Sequence, residues 1–72
     1  MKELRAAEKF GRIVRKLRHD RKWTQEDLAV EMEADAAYIS RIERGVKNPS
    51  LETVLRLARA FGLKVAFGEH RL

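Results

Sequence analysis

Three capping residues set the architecture of this chain before any hydrophobic pattern is considered. Thr24, Asp35 and Ser50 each stand immediately before a short amphipathic run. There, a side-chain oxygen can accept from the backbone N–H groups that a helix start leaves unpaired. Asp27, three residues after Thr24, makes an acidic version of the reciprocal capping box, and Glu26 and Asp27 suit the positive end of a helix dipole. Gly45 and Gly62 are the matching stops. The caps therefore predict a helix over about residues 25–33, one between Asp35 and Gly45, and one from Leu51 to about Phe61.

A first helix precedes these. Phe10, Ile13, Val14 and Leu17 fall at i, i+3, i+4 and i+7, and Leu4 and Ala7 extend the stripe, which predicts a helix from residue 3 or 6 to 21. Trp23 reads as a plug closing the first turn onto the core, with stacking against bases as the alternative. The buried positions expected of the next two helices are Leu28, Ala29 and Met32, then Ile39 and Ile42 with Ala36 able to join them. In the fourth, Leu51, Val54, Leu55, Ala58 and Phe61 are expected to face inward. Leu57 widens that face beyond what a four-helix core requires and reads as a contact to a fifth element or a partner chain.

The tail changes period. Leu63, Val65 and Phe67 alternate with Lys64 and Ala66, which predicts a short strand bounded by Gly62 and Gly68. No second strand is legible, and a lone strand has nothing to pair with in its own chain. The expectation is pairing with the same segment of a second copy across a two-fold axis. The alternative is a short fifth helix or a tail packing Leu63 and Phe67 onto the core. The fold class is all-α: one four- to five-helix domain over residues 1–72, with a core at 10–62 and a dimerisation tail at 63–72. Seventy-two residues leave a core near the lower limit for independent folding, and dimerisation would enlarge it.

Composition narrows the function classes. At 44% hydrophobic and 38% charged residues the chain is a small globular protein rather than a disordered tail. There is no cysteine, and His19 and His70 have no partner at ligand spacing, so neither a metal nor a cofactor is expected. No serine, histidine and acid constellation or glycine-rich phosphate loop can be assembled, which argues against an enzyme. Apolar runs are too short for a membrane span, and the charged start "MKELRAAEKFGRIVRK" lacks a signal-peptide core, so a cytoplasmic, nucleoid-associated protein is expected. The net charge of +5 and pI near 10.1 invite a polyanion. Residues 2 to 22 concentrate nine basic side chains against three acidic ones.

Residues 24 to 45, two short helices joined by Glu33, Ala34 and Asp35, have the dimensions of a helix-turn-helix. Such a connection thrusts the second helix outward, where its amino-terminal end can enter a major groove. The strings "TQEDLA", "YISRIERG" and "NPSLETVLRLARAFG" together resemble the Cro/C1-type (Xre-type) helix-turn-helix proteins of phages and bacteria, with a lambda-repressor-like domain. This resemblance covers about residues 10 to 62. Over about ten further residues, the tail resembles the antitoxins of HipB-like toxin–antitoxin pairs, in which a terminal strand joins the dimer.

Residue chemistry and the resemblance point to the same surface. Ala36, Ala37, Ser40 and Arg41 are the expected base readers. The two alanines keep the helix tip thin enough for the groove and offer methyls to thymine, and Arg41 can bind guanine through two hydrogen bonds, worth roughly 1–3 kcal/mol of discrimination. Gln25, Tyr38, Arg44, Lys47 and Asn48 are the expected phosphate contacts. Tyr38 reads equally as half core, and Lys47 and Asn48 as ordinary turn polarity. Ala29 is small because the third helix must cross close over it. The resemblance implies an ion pair between Arg18 and Glu43, and a positive φ at Glu33, where the family carries glycine. A side chain in that conformation costs about 1 kcal/mol.

The function expected is a dimeric, sequence-specific repressor of an inverted-repeat operator in double-stranded DNA, with half-sites roughly 34 Å apart and affinity falling steeply with salt. An antitoxin-like autoregulator, with a toxin protein as partner, is preferred over a phage repressor or a restriction-modification controller. The competing class is a protein-interaction module on the same scaffold. Leu57, the tail and the acidic face of the second helix would then be the partner surfaces. Leu57, Leu63, Val65 and Phe67 are the expected dimer contacts.

Overall fold

A computed structural model describes residues 5–68 and 70–71 of the chain. Leu4 and the side chain of Phe67, both used above, lie outside the described residues. The elements run α1 (Ala6–Asp20), α2 (Gln25–Met32), α3 (Ala36–Arg44), α4 (Leu51–Ala60), β1 (Ala66–Phe67) and β2 (His70–Arg71). Each expected cap is formed. Thr24 Oγ1 accepts from the Asp27 N–H at 3.0 Å while Asp27 accepts from the Thr24 N–H at 2.8 Å. Asp35 Oδ1 accepts from the Tyr38 N–H at 2.7 Å, and Ser50 Oγ from the Thr53 N–H at 3.1 Å. Gly45 closes α3 at φ +66, and Glu33 closes α2 at φ +55 despite its side chain.

Val14, Leu28, Ala29, Met32, Ile39, Ile42, Leu57 and Phe61 form one core. Trp23 packs against it, its ring stacked on Phe61 at 5.8 Å between centroids. Arg21 locks the same corner by donating to the Phe61 carbonyl at 2.7 Å and lying 4.9 Å from the Phe61 ring centroid. Arg56, on α4, donates to the Met32 carbonyl and so occupies an orphan acceptor at the end of α2.

The phase of two helices differs from the expectation. In α1 the buried stripe is Ala7, Gly11, Val14 and Arg18, while Phe10 and Leu17 are only half-buried and Ile13 is 55% exposed. Gly11 is the cause. A Cβ there would stand 2.5 Å from the carbonyl oxygens of both Ile42 and Glu43, so α1 crosses α3 at the one point in the stripe with no side chain. In α4 the buried positions are Thr53 and Leu57, followed by the cap Phe61. Leu57, expected to reach outward, is 2% exposed and central, whereas Leu51 at 61% and Leu55 at 37% face outside. The face that packs against the core is therefore rotated from the one expected, and Leu57 belongs to the chain's own core.

The tail also differs. The strand is confined to Ala66–Phe67, and it pairs antiparallel with His70–Arg71 of its own chain, Ala66 opposite Arg71 and Phe67 opposite His70. Intersubunit pairing was expected because the polar "EHRL" end carries no strand signal. A tight reversal through Gly68 supplies the missing partner locally. The described residues contain no fifth helix.

Candidate nucleic-acid interface

α3 is held from three sides, and what remains outside is the expected reading face. Ile39 and Ile42 are buried beneath it. Ala37, Arg41 and Arg44 are exposed along its outer side, with Ala36 and Ser40 half-buried at its edges. Arg44 reaches back to its own helix, its Nε donating to the Ser40 carbonyl at 3.4 Å. Lys47 and Asn48 continue the exposed surface into the loop after Gly45. Asp35, the one acid at the helix tip, is engaged as the cap.

Behind that face lies the ion pair that fixes α3 on α1. Arg18 Nε donates to Glu43 Oε2 at 2.6 Å and Arg18 Nη2 to Glu43 Oε1 at 3.0 Å, a bidentate pair with side-chain exposures of 10% and 5%. Arg18 Nη1 also donates to the Trp23 carbonyl at 2.8 Å, so the guanidinium closes the α1–α2 connection as well. Burial pushes the Glu43 carboxyl up. Hydrogen bonds from Arg18 and Gln25, with the charges of Arg18 and Arg15, outweigh burial and hold it below its ordinary value. Gln25 donates its Nε2 to Glu43 Oε1 at 3.3 Å, which leaves its second N–H and its carbonyl for another partner.

Two clefts flank α3. One, of about 280 Å³, is lined by Arg15, Gln25, Ser40 and Arg44 above the Arg18–Glu43 pair. The other, of about 200 Å³, is lined by Tyr38, Arg41, Lys47, Asn48, Ser50 and Thr53. In the second cleft Tyr38 takes the half-core position that was one of its two readings. Its ring packs against the core, and its phenol oxygen lies 2.7 Å from Thr53 Oγ1. The Arg41 guanidinium carbon is 6.0 Å from the centroid of that ring.

The structure thus brings together Gln25, Ala36, Ala37, Tyr38, Ser40, Arg41, Arg44, Lys47 and Asn48 on α3 and its two borders. Arg15 and Thr53 line the same clefts but were not singled out from the sequence. Arg15 sat unmarked within a generally basic helix, and only the crossing of α1 over α3 distinguishes it. Thr53 carried one faint signal, a polar residue on the buried side of an otherwise leucine-rich helix. Of the amino-terminal basic cluster, Arg18 and Arg21 are used inside the fold. Among the described residues, no group of side chains is placed to hold a metal, and no helix is long and apolar enough to cross a membrane.

Comparison with known proteins finds a family described as a helix-turn-helix domain, whose profile matches residues 9–66. Control protein C.BamHI of Bacillus amyloliquefaciens is 39% identical over 56 residues, spanning 76% of this chain and 69% of that protein. The crystal structure of the restriction-modification controller protein C.AhdI from Aeromonas hydrophila superposes with a TM-score of 0.75 at 38% identity, covering 79% of this chain and 83% of that one. The controller protein C.Esp1396I, solved as a tetramer in complex with its natural 35 base-pair operator, gives a TM-score of 0.77 at 30% identity, covering 85% and 80%.

Proposed function

The chain belongs to the Cro/C1-type helix-turn-helix family of transcriptional regulators, and from that premise we propose that it binds an inverted-repeat operator as a homodimer. The observation that carries this reading is the outer face of α3. Small Ala37 and half-buried Ala36 stand at its tip, cationic Arg41 and Arg44 stand further along, and Lys47 and Asn48 extend the row. In the proposal Ala36, Ala37, Ser40 and Arg41 meet base edges. Gln25, Tyr38, Arg44, Lys47 and Asn48 meet the backbone, and Arg15 joins them from α1. The names of the matched controllers support control of a restriction-modification system ahead of the toxin–antitoxin role expected from the tail.

An apolar groove supports the dimer. Phe10 and Ile13 of α1, Val54 and Ala58 of α4, and Leu63 and Val65 of the tail line it, and the exposed Leu51 and Leu55 stand on the same helix as its α4 wall. The second copy would cover these residues, with Leu63 and Val65 of the expected set at the groove's edge, Leu57 at its buried floor, and Leu51 and Leu55 added beside it.

Selection from a random duplex library by the purified protein, at moderate salt, tests the reading. The expected product is an inverted repeat whose half-sites are about 10 base pairs apart, centre to centre. An asymmetric product, or no enrichment over input, is incompatible with it.

A further inference from the structure

Thr53 is 7% exposed, between the start of α4 and the side of α3, and a core position has no need of its hydroxyl. Three hydrogen bonds meet at it. The Thr53 backbone N–H can only donate, and Ser50 Oγ accepts it at 3.1 Å. Ser50 keeps its own hydroxyl hydrogen, which it donates to Thr53 Oγ1 at 3.0 Å. Thr53 Oγ1 lies 2.7 Å from Tyr38 Oη, a hydrogen bond in which either hydroxyl can donate. When Thr53 donates, the phenol hydrogen is released toward the open side of the cleft shared with Arg41, Lys47 and Asn48. The ring so held is also the one beside the Arg41 guanidinium, at cation–π distance.

We propose that Thr53, without touching DNA, is a positioning residue for its recognition: by donating to the Tyr38 phenol oxygen it frees the phenol hydrogen for an acceptor oxygen of the DNA backbone, and it steadies the ring that supports Arg41. This rests on the reading of the α3 face as the DNA surface. Such a role extends the recognition machinery into α4, through a residue that sequence position alone assigns to packing.

The test uses the full chain with Thr53→Val, Thr53→Ser, Tyr38→Phe, the Thr53→Val/Tyr38→Phe double variant and Arg41→Ala. Each is titrated against the duplex recovered by the library selection and against a shuffled duplex of equal length. Thr53→Val keeps the shape and removes the hydroxyl; Thr53→Ser keeps the hydroxyl. Thr53→Val and Tyr38→Phe should each weaken binding to the selected duplex roughly three- to tenfold, the loss of one hydrogen bond. The double variant should be no weaker than either single, because both remove one shared contact. Thr53→Ser should bind like the parent. On the shuffled duplex, which offers the same phosphates, Thr53→Val and Tyr38→Phe should weaken binding together, whereas Arg41→Ala should lose the preference for the selected duplex.

Losses that add in the double variant, or that are accompanied by a fall in melting temperature large enough to account for them, mean a merely structural role and overturn the proposal. A loss with Tyr38→Phe and none with Thr53→Val overturns it while the DNA surface stands. Silence of Tyr38→Phe overturns it too, and if Arg41→Ala is silent as well the DNA surface falls with it. Should Thr53→Val not fold, Thr53→Ala carries the same comparison.

Discussion

The two sides of α1 are built to opposite standards. Toward α3 the contact is closed: Gly11 admits the backbone of Ile42 and Glu43, and the Arg18–Glu43 pair is bidentate and almost dry. Toward α4 and the tail it is open, an apolar groove edged by Ile13 and Leu63, both about half exposed or more. The closed side fixes the angle at which α3 leaves the body, which is what a reading helix needs. The open side leaves apolar area that the described residues do not cover, which is where the proposed two-fold partner would sit. In the proposal one helix therefore separates the part of the fold that orients from the part that associates.

Breaking the closed side should have the largest effect. Arg18→Ala leaves the Glu43 carboxylate without its main partner in a site of 5% exposure, and urea unfolding should show a loss of roughly 3–5 kcal/mol. A loss below about 1 kcal/mol, typical of exposed pairs, would put the two sides on an equal footing. The same variant tests the pH dependence. The Glu43 carboxyl is held below its ordinary value in the folded state, so its stabilisation is present above the unfolded value, near ~4.3, and is lost as pH falls through the folded one. The parent should lose stability on acidification below about pH 4, and Arg18→Ala should have lost most of that sensitivity.

Gly11→Ala should follow. Its methyl meets two carbonyl oxygens at 2.5 Å, and backbone on both helices has little room to retreat. A destabilisation of about 1–3 kcal/mol is expected in thermal melts, together with weaker DNA binding as α3 shifts. Parent-like stability and affinity would show that the crossing is loose.

Glu33→Gly should act with the opposite sign. Glu33 sits at φ +55, where a side chain is strained and glycine is not, so the melt should rise by the equivalent of roughly 0.5–1 kcal/mol. A fall would mean that the Glu33 side chain does more in the turn than its exposed position suggests.

Leu55→Glu should have the least effect on folding and a distinct one on assembly. At an exposed site of α4 it should leave monomer stability within about 0.5 kcal/mol while sedimentation moves from dimer to monomer. An unchanged dimer would remove the open side from the account.

How much of this could be read from the sequence follows the range of the interactions involved. Caps are local: Thr24, Asp35 and Ser50 each act on a backbone group three residues away, and all three form as expected. The Arg18–Glu43 pair and the positive φ at Glu33 were legible through the family resemblance. Helix phase was not legible, because it is set between elements. Phe10, Ile13, Val14 and Leu17 make a good stripe by themselves, yet the absent side chain of Gly11 decides which side of α1 meets α3. In α4, Leu51, Val54, Leu55, Leu57, Ala58 and Phe61 cover more than one face, and hydrophobicity alone does not say which edge belongs to the chain's own core. Tail pairing escaped for a similar reason, since His70–Arg71 becomes a strand only because Ala66–Phe67 lies opposite. Of the proposed interface, the outward-facing α3 positions were readable from their spacing, whereas Arg15 and Thr53 come into view only when α1 and α4 are placed.

The most direct test of the central claim is to repeat the library selection with Arg41→Ala beside the parent protein. The account predicts a symmetric motif from both, with the variant losing its preference at one base pair in each half-site and keeping the spacing. Identical motifs from the two proteins, or a parent motif without two-fold symmetry, would contradict it.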